Sequence, residues 1–399
     1  MTGRGATAEP DAGTARLRAR PLASLRDLEP SRWDAVVPPG HAPLRHGFLS
    51  AFEQTELPGL TSAPIVATAG GHELSAACPG YVYDLDLLGS RLPRATGALG
   101  LLRRRWPHLL TARTYELGSP TPLTNPFLVR EEARRPEAVS VLCEAAINEA
   151  ARRRAQFVLV QNLSSPSGPA AGALAPLGFA TIPILPTVVV PLSYGSFDEY
   201  LAAMRSQYRR RATKTLTRSA ELRIEHRRQF AELAPDLARL WHLVYDRADE
   251  LRREVLTPGY FRAVSTLDHT SVLLARHADG SLASFALLLS DRPWMWFLHC
   301  GFDEAAGRSE GAYFRLLYEI VRVAIGDGVE LLDLGMTTVQ PKLDVGGVPV
   351  PLYALVKHRN RLAHRAVVAF ANGPARPPVV EPRRVFKGPV PSAGELLSR

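Results

Sequence analysis

Three stretches of the sequence hold residues whose type and placement suggest chemistry beyond packing. The first is LDLGMTTVQPKLDVGGVPVP, residues 332–351. A strand-like run ends there in a glycine, and a polar loop, Lys342, a glycine pair and two prolines follow. In a chain whose basic residues are mostly arginine, one lysine in so shaped a loop stands out. A lysine ammonium is a compact charge that can hold a carboxylate or phosphate and stabilise a developing oxyanion. A plain surface lysine in a turn is the alternative, and the shaped loop favours the functional reading. Asp333, late in the strand, is a candidate proton acceptor, as are Glu330, Asp246, His242 and His299. His299 lies in WMWFLHCGF and reads first as a packed strand histidine. Asp246 sits on a helix, where Arg247 or Arg252 could pair with it. No Ser-His-Asp or Cys-His arrangement is legible from spacing.

The second stretch is GSFDEYLAAMRSQYRRRATKTLTRSAEL. Ser196 with Glu199 three residues on makes a capping box. Phe197, Leu201, Met204, Tyr208, Ala212 and Leu216 keep an apolar stripe at helical spacing. Arg205, Arg209, Arg210, Arg211, Lys214 and Arg218 fill the other faces, and Arg205 and Arg209, one turn apart, could grip a single anion. The alternative is a solvated polar face. The third stretch, GFDEAAGRSEGAYFRLL, takes a strand end near Phe302 through a small-residue loop into a helix starting near Gly311. Free N–H groups and the helix dipole attract phosphate at such a start.

These segments need a scaffold. At 399 residues the chain suggests two domains. Hydrophobic residues make up 46% and the mean hydropathy is −0.05, as in a soluble globular protein. No run approaches the length of a membrane span. The three cysteines are far apart and form no Cys/His cluster, so neither a disulfide framework nor a metal site is expected, in keeping with the cytoplasm. The net charge of +9 admits an anionic partner. GC-rich coding, which favours arginine, alanine and proline, would raise the charge equally well.

The pattern along the chain predicts a disordered leader over 1–28, an N-terminal domain over 29–182, a C-terminal domain over 183–371 and a proline-rich, loosely ordered tail over 372–399. Each half offers helices, an antiparallel meander, a helix and a strand. The expected class is α+β, with two mixed, mostly antiparallel sheets flanked by helices.

That order, run twice, resembles the acetyltransferase (GNAT) plan, and the chain looks like the FemAB-like branch of that superfamily. HGFLSAFEQTE with ELSAACPGYVYDLD, then YGSFDEYLAAMRSQYRRRATKTLTRS, then GVELLDLGMTTVQPKLDVGGVPVPLY carry the similarity, which covers most of residues 30–370. The resemblance implies an enzyme forming an amide, with acyl-CoA or aminoacyl-tRNA as co-substrate and no permanently bound cofactor. The acceptor would be an amine of a small molecule or of a cell-wall or natural-product precursor. Of the superfamily's phosphate-loop pattern, Gln/Arg-x-x-Gly-x-Gly/Ala, Arg308 and Gly311 match and Tyr313 departs. The implied site has Asp333 and Lys342 as catalytic residues in the C-terminal cleft. Arg308, Gly311, Arg205 and Arg209 would hold the donor, and Tyr208, Asp246, His299 and Gln340 the substrate. A retired acyltransferase fold that binds an anionic ligand or nucleic acid is the competing reading.

Overall fold

The computed structural model describes residues 16–55, 57–86, 111–119, 121, 124–247, 255–303, 305 and 310–397. The strands are β1 Arg18–Pro21, β2 Thr61–Ser62, β3 Ile65–Thr68, β4 Ala76–Cys78, β5 Gly80–Asp86, β6 Thr111–Leu117, β7 Leu128–Val129 and β8 Phe157–Leu163. They continue with β9 Ala180–Pro191, β10 Arg223–Arg227, β11 Thr270–Arg276, β12 Leu282–Asp291, β13 Trp294–Phe302, β14 Leu331–Asp333 and β15 Val348–His358. The helices are α1 Pro30–Asp34, α2 His46–Gln54, α3 Arg135–Arg152, α4 Pro169–Leu174, α5 Phe197–Ala203 and α6 Ser206–Arg218. After these come α7 Ala234–Arg247, α8 Pro258–Val264, α9 Glu310–Gly326, α10 Val339–Asp344, α11 Arg361–Asn372 and α12 Ala393–Leu397.

The class is α+β, as expected. Strands β1, β3, β4 and β7 form a small antiparallel sheet; the rest form one sheet in the order β10-β11-β12-β13-β14-β9-β15-β8-β6-β5-β2. One plan is built twice within it. An antiparallel pair leads into a helix and returns as a parallel strand: β5-β6, α3, β8 in the first half and β12-β13, α9, β14 in the second. The halves then exchange closing strands. β9, from the first half, pairs with β14; β15, from the second, pairs with β8; and β9 and β15 pair with each other. The boundary expected at 182/183 therefore falls inside β9, the strand that stitches the halves together.

Local chemistry explains the elements around the site. In α9, Leu316, Leu317, Ile320, Val321 and Ala324 form a helical stripe packed into the core. The helix stops where Gly328 takes a φ of +66°, and its N–H bonds Ile325 O. Strands β11 and β12 are nearly continuously apolar because one face meets α9 and the other meets α7 and α8. Gly301 near the end of β13 lets α7 approach, since a Cβ there would lie 2.6 Å from the Leu240 backbone.

Three expectations are corrected. Within the segment expected as a leader, Arg18–Pro21 is a strand paired with β3, and Leu17, Leu22, Leu25 and Leu28 are buried; the arginines had masked the apolar positions between them. The tail packs: Val385 is buried, Phe386 stands against Tyr194 and Tyr200, and Leu396 of α12 is buried. The loop expected around Lys342 is the short helix α10 followed by the long strand β15. Pro349 and Pro351 are tolerated because that end of β15 pairs only with β9, the β8 pairing beginning at Tyr353. No helix among the described residues is long and apolar enough to cross a membrane.

Candidate active site

The large sheet forks in the second half. β13 and β14 run parallel for three pairs, Trp294↔Leu331 to Trp296↔Asp333, and β14 then stops while β13 continues to Phe302. The chain leaves β14 through Gly335, whose φ is +79°. β13 also carries a bulge against β12 beside Leu287 and Leu288, which places Leu298 and His299 on the face of α7 and α8 and Cys300 on the face of α9. Beyond Trp296, that edge of β13 has left its parallel neighbour.

Asp333 and Lys342 meet at the base of this fork, so the structure brings together the two residues expected to be catalytic. Asp333 is 1% exposed. Its Oδ1 accepts from Thr187 Oγ1 at 2.5 Å and from the Gly335 N–H at 2.8 Å. Its Oδ2 is buried with no hydrogen-bond partner among the described residues. Burial pushes its carboxyl up to about 6, against the pull of those two bonds and the nearby Lys342 ammonium. Lys342 is 2% exposed, and its Nζ donates to Gly335 O at 3.1 Å. It is an enclosed charge facing a backbone carbonyl, unlike the surface turn lysine that the sequence left open. Burial raises the Cys300 thiol to about 12, with Lys342 pulling the other way.

Between α6 and α9 lies a cavity of about 560 Å³, whose described lining includes neither Asp333 nor Lys342. Tyr208, Arg211, Lys214, Thr215 and Arg218 of α6 wall one side, and Gly311, Ala312, Phe314 and Tyr318 of α9 the other. Arg211, Lys214 and Arg218 recur at helical spacing, so one face of α6 looks across the cavity at Gly311 and Ala312 in the first turn of α9. His277 joins the wall, bonded to Asp303 at 2.7 Å. Asp344, two residues after Lys342 in α10, also lines the cavity. It is held by Arg383 from the tail, which also bonds Gln340. Burial and Asp344 together raise the Tyr318 hydroxyl well above its ordinary range.

Among the residues expected to hold the donor, Gly311 lines the cavity. Arg205 and Arg209 do not. Arg205 caps the start of α6 and bonds Phe386 O at 3.3 Å, and Arg209 reaches Ala202 O at 3.4 Å. The helix turns them toward α5 and the tail, and the basic residues that line the cavity are Arg211, Lys214 and Arg218. Arg308 lies outside the described residues. Tyr208 lines the cavity, with the Arg211 guanidinium 5.8 Å from its ring centre. His299 packs on the opposite face of the sheet, its Nε2 3.3 Å from the Tyr260 hydroxyl. Asp246 is exposed on α7, and Gln340 is engaged by Arg383. Sequence reasoning missed Thr187, His277, Asp344 and Arg383, which come from four distant segments. The spacing of Arg211, Lys214 and Arg218 was a usable signal.

Comparison with known proteins bears on these same elements. Residues 202–340, from α5 to α10, match the acetyltransferase (GNAT) domain family. Over those residues the chain is similar to a GNAT acetyltransferase domain. The matched residues contain β13, β14, α9 and the cavity walls up to Gln340, while Lys342 and Thr187 lie outside them. The whole fold is similar to that of FemX, with a TM-score of 0.54, 14% identity, and coverage of 85% of this chain and 98% of FemX. It is also similar to a tandem GNAT protein from the clavulanic acid biosynthesis pathway, at a TM-score of 0.48 and 16% identity, covering 86% and 99%. Two Mycobacterium tuberculosis proteins (strains CDC 1551 / Oshkosh and ATCC 25618 / H37Rv), provisionally named 8-amino-7-oxononanoate synthase 2, are 26% identical over 277 residues. The match takes in 67% of this chain, which spans only 36% of the length of those relatives.

Proposed function

We propose that the GNAT-like domain forms an amide, moving an acyl or aminoacyl group from a phosphate-bearing donor, a CoA thioester in preference to an aminoacyl-tRNA, onto an amine. The observation that carries this reading is the cavity in which Arg211, Lys214 and Arg218 face the first turn of α9. Cations facing the first turn of a helix across a cavity suit the phosphates of a nucleotide-linked donor. A cavity of this volume suits a small donor better than a folded RNA.

In this reading the donor's carbonyl lies toward the fork. An attacking amine drives negative charge onto the carbonyl oxygen, and the enclosed Lys342 ammonium stabilises that charge in a site of low dielectric. Collapse then forms the amide, breaks the C–S bond and releases coenzyme A as the thiol, its sulfur taking up the amine's proton. Asp333 is a positioning residue: its carboxylate holds the Gly335 turn, and the Gly335 carbonyl in turn holds Lys342. Tyr208 borders the donor. Gln340 and Asp344 set the cavity wall through Arg383.

The test is a thermal-shift series with coenzyme A and with aminoacylated tRNA, followed by an acyl-transfer assay with whichever raises the melting temperature. Ligand that binds the native state stabilises it by mass action. A shift with coenzyme A that disappears in the triple variant Arg211→Ala, Lys214→Ala, Arg218→Ala is expected. A shift with charged tRNA alone would reverse the donor, and no shift with either would remove the cavity's assignment.

A further inference from the structure

The described large apolar side chains that stand exposed are Leu362 (75%), Phe370 (55%), Val379 (82%) and Leu397 (39%), all of them after residue 361. Two belong to α11, which is anchored at both ends. The Asn360 side chain caps its start through the Leu362 and Ala363 N–H groups at 2.9 and 3.0 Å, and the chain turns back where Ala375 N bonds Phe370 O. One side of the helix, with Val367 and Val368, packs on the sheet against Phe157 and Val356. The other side presents Leu362, Ala366, Ala369 and Phe370 outward at helical spacing, bordered along one edge by exposed Arg361 and Arg365.

Charge concentrates in the same segment. Residues 357–387 contain eight basic residues and one acidic residue, a net +7 against +9 for the whole chain. A coding bias toward arginine would not by itself gather the excess into 31 residues (357–387) or leave a single acid among them. Arg359, Arg361, Arg365 and Arg376 are exposed, and none pairs with an acid among the described residues. A rigid helix with an outward apolar face and a basic margin suits a surface that is apolar below and negatively charged above.

We infer that α11 docks the protein on the surface of an anionic lipid bilayer, Leu362 and Phe370 entering the acyl boundary and the arginines meeting lipid phosphates. The inference stands apart from the proposed reaction, since it uses no residue of the fork or the cavity.

The test is co-sedimentation of the full chain with phosphatidylcholine vesicles and with vesicles containing about one-third phosphatidylglycerol. Binding to the anionic vesicles should exceed binding to the neutral ones by at least ~10-fold and weaken in high salt. The double variant Leu362→Glu, Phe370→Glu should lose ~10-fold or more of that binding, with its far-ultraviolet circular dichroism and melting temperature unchanged. Arg361→Gln with Arg365→Gln should lose a smaller part and lessen the salt dependence. Failure of the wild-type chain to prefer anionic vesicles overturns the inference, as does binding that survives loss of both apolar residues. If the apolar substitutions instead abolish a dimer seen by light scattering and leave vesicle binding intact, the face is a contact between copies and the lipid assignment falls.

Discussion

The two crossovers, β6-α3-β8 and β13-α9-β14, share a plan and differ in what fills the opening beyond the parallel pairs. In the first, Ser119, Thr121 and Asn162 close the space with their own hydrogen bonds, and Glu116 is buried between Tyr83 and Gln161 at 2.6 and 3.0 Å. At the start of α3 the Glu137 carboxylate accepts from the Leu17 N–H and pairs with Arg134, so the segment before β1 packs against that turn. In the second, β14 ends after three residues, Lys342 and Asp333 lie at the fork, and the start of α9 looks into a basic cavity. One architecture can thus be closed by packing or leave a cavity beside it. The choice rests on a few side chains at the helix start and strand end, and the family match falls on the open copy alone.

The sharpest way to break this contrast is to neutralise one buried polar centre in each copy. Lys342→Met keeps most of the side-chain volume and removes the charge, so kcat for acyl transfer should fall by about 10²- to 10³-fold. Glu116→Gln in the closed copy should leave kcat within about twofold. Equal losses would show that the halves do not divide the labour.

A second comparison sets the two helix starts against each other. Removing Arg211, Lys214 and Arg218 together should raise the donor's KM by roughly 10- to 100-fold with little change in melting temperature. Removing Arg134 and Glu137 should leave KM alone and cost about 1 kcal/mol or less of stability, since that pair is partly exposed.

Asp333 sharpens the contrast through pH. Its carboxyl titrates at about 6 in the folded protein, against an ordinary value of 3.8. The folded state therefore holds the proton more tightly than the unfolded state. The resulting stability is present in full below about pH 4 and is lost as pH rises to about 6, amounting to about 3 kcal/mol. Asp333→Asn cannot titrate, so its melting temperature should lack that fall between pH 4 and 6. Parallel curves for the wild type and the variant would mean that the carboxylate is not enclosed as described.

The smallest effect is expected at the tail. Arg383→Ala releases Asp344 and Gln340, which should raise the donor's KM a few-fold and cost about 1 kcal/mol or less, measured by denaturant titration. An unchanged KM would detach the tail from the cavity.

Much of this was legible in the residues themselves. The helix ended by a glycine that became α9 and the repeated order of meander, helix and strand are local patterns, and each produced the element expected. Ser196 caps α5 as read, with Glu199 reaching the Gly195 N–H. The single long helix expected after that cap is two, α5 and α6, broken where Met204 and Arg205 are extended. Asp333 and Lys342 drew notice because a strand end, a glycine and a lone lysine adjoin in sequence, and they adjoin in space as well. Arg205 and Arg209 misled because spacing along a helix says which residues share a face, and only packing says what that face meets.

What the sequence by itself determined is the set of elements, their class and the identity of the polar residues available for chemistry, because these depend on interactions within a few residues. Only the tertiary structure decided that β9 and β15 exchange between the halves and that the tail grips α10. It also decided that Thr187, 146 residues before Asp333, supplies the hydroxyl at the fork. Those pairings join chain segments far apart in sequence, and their free energy comes from burial and hydrogen bonds that exist only once the sheet has closed.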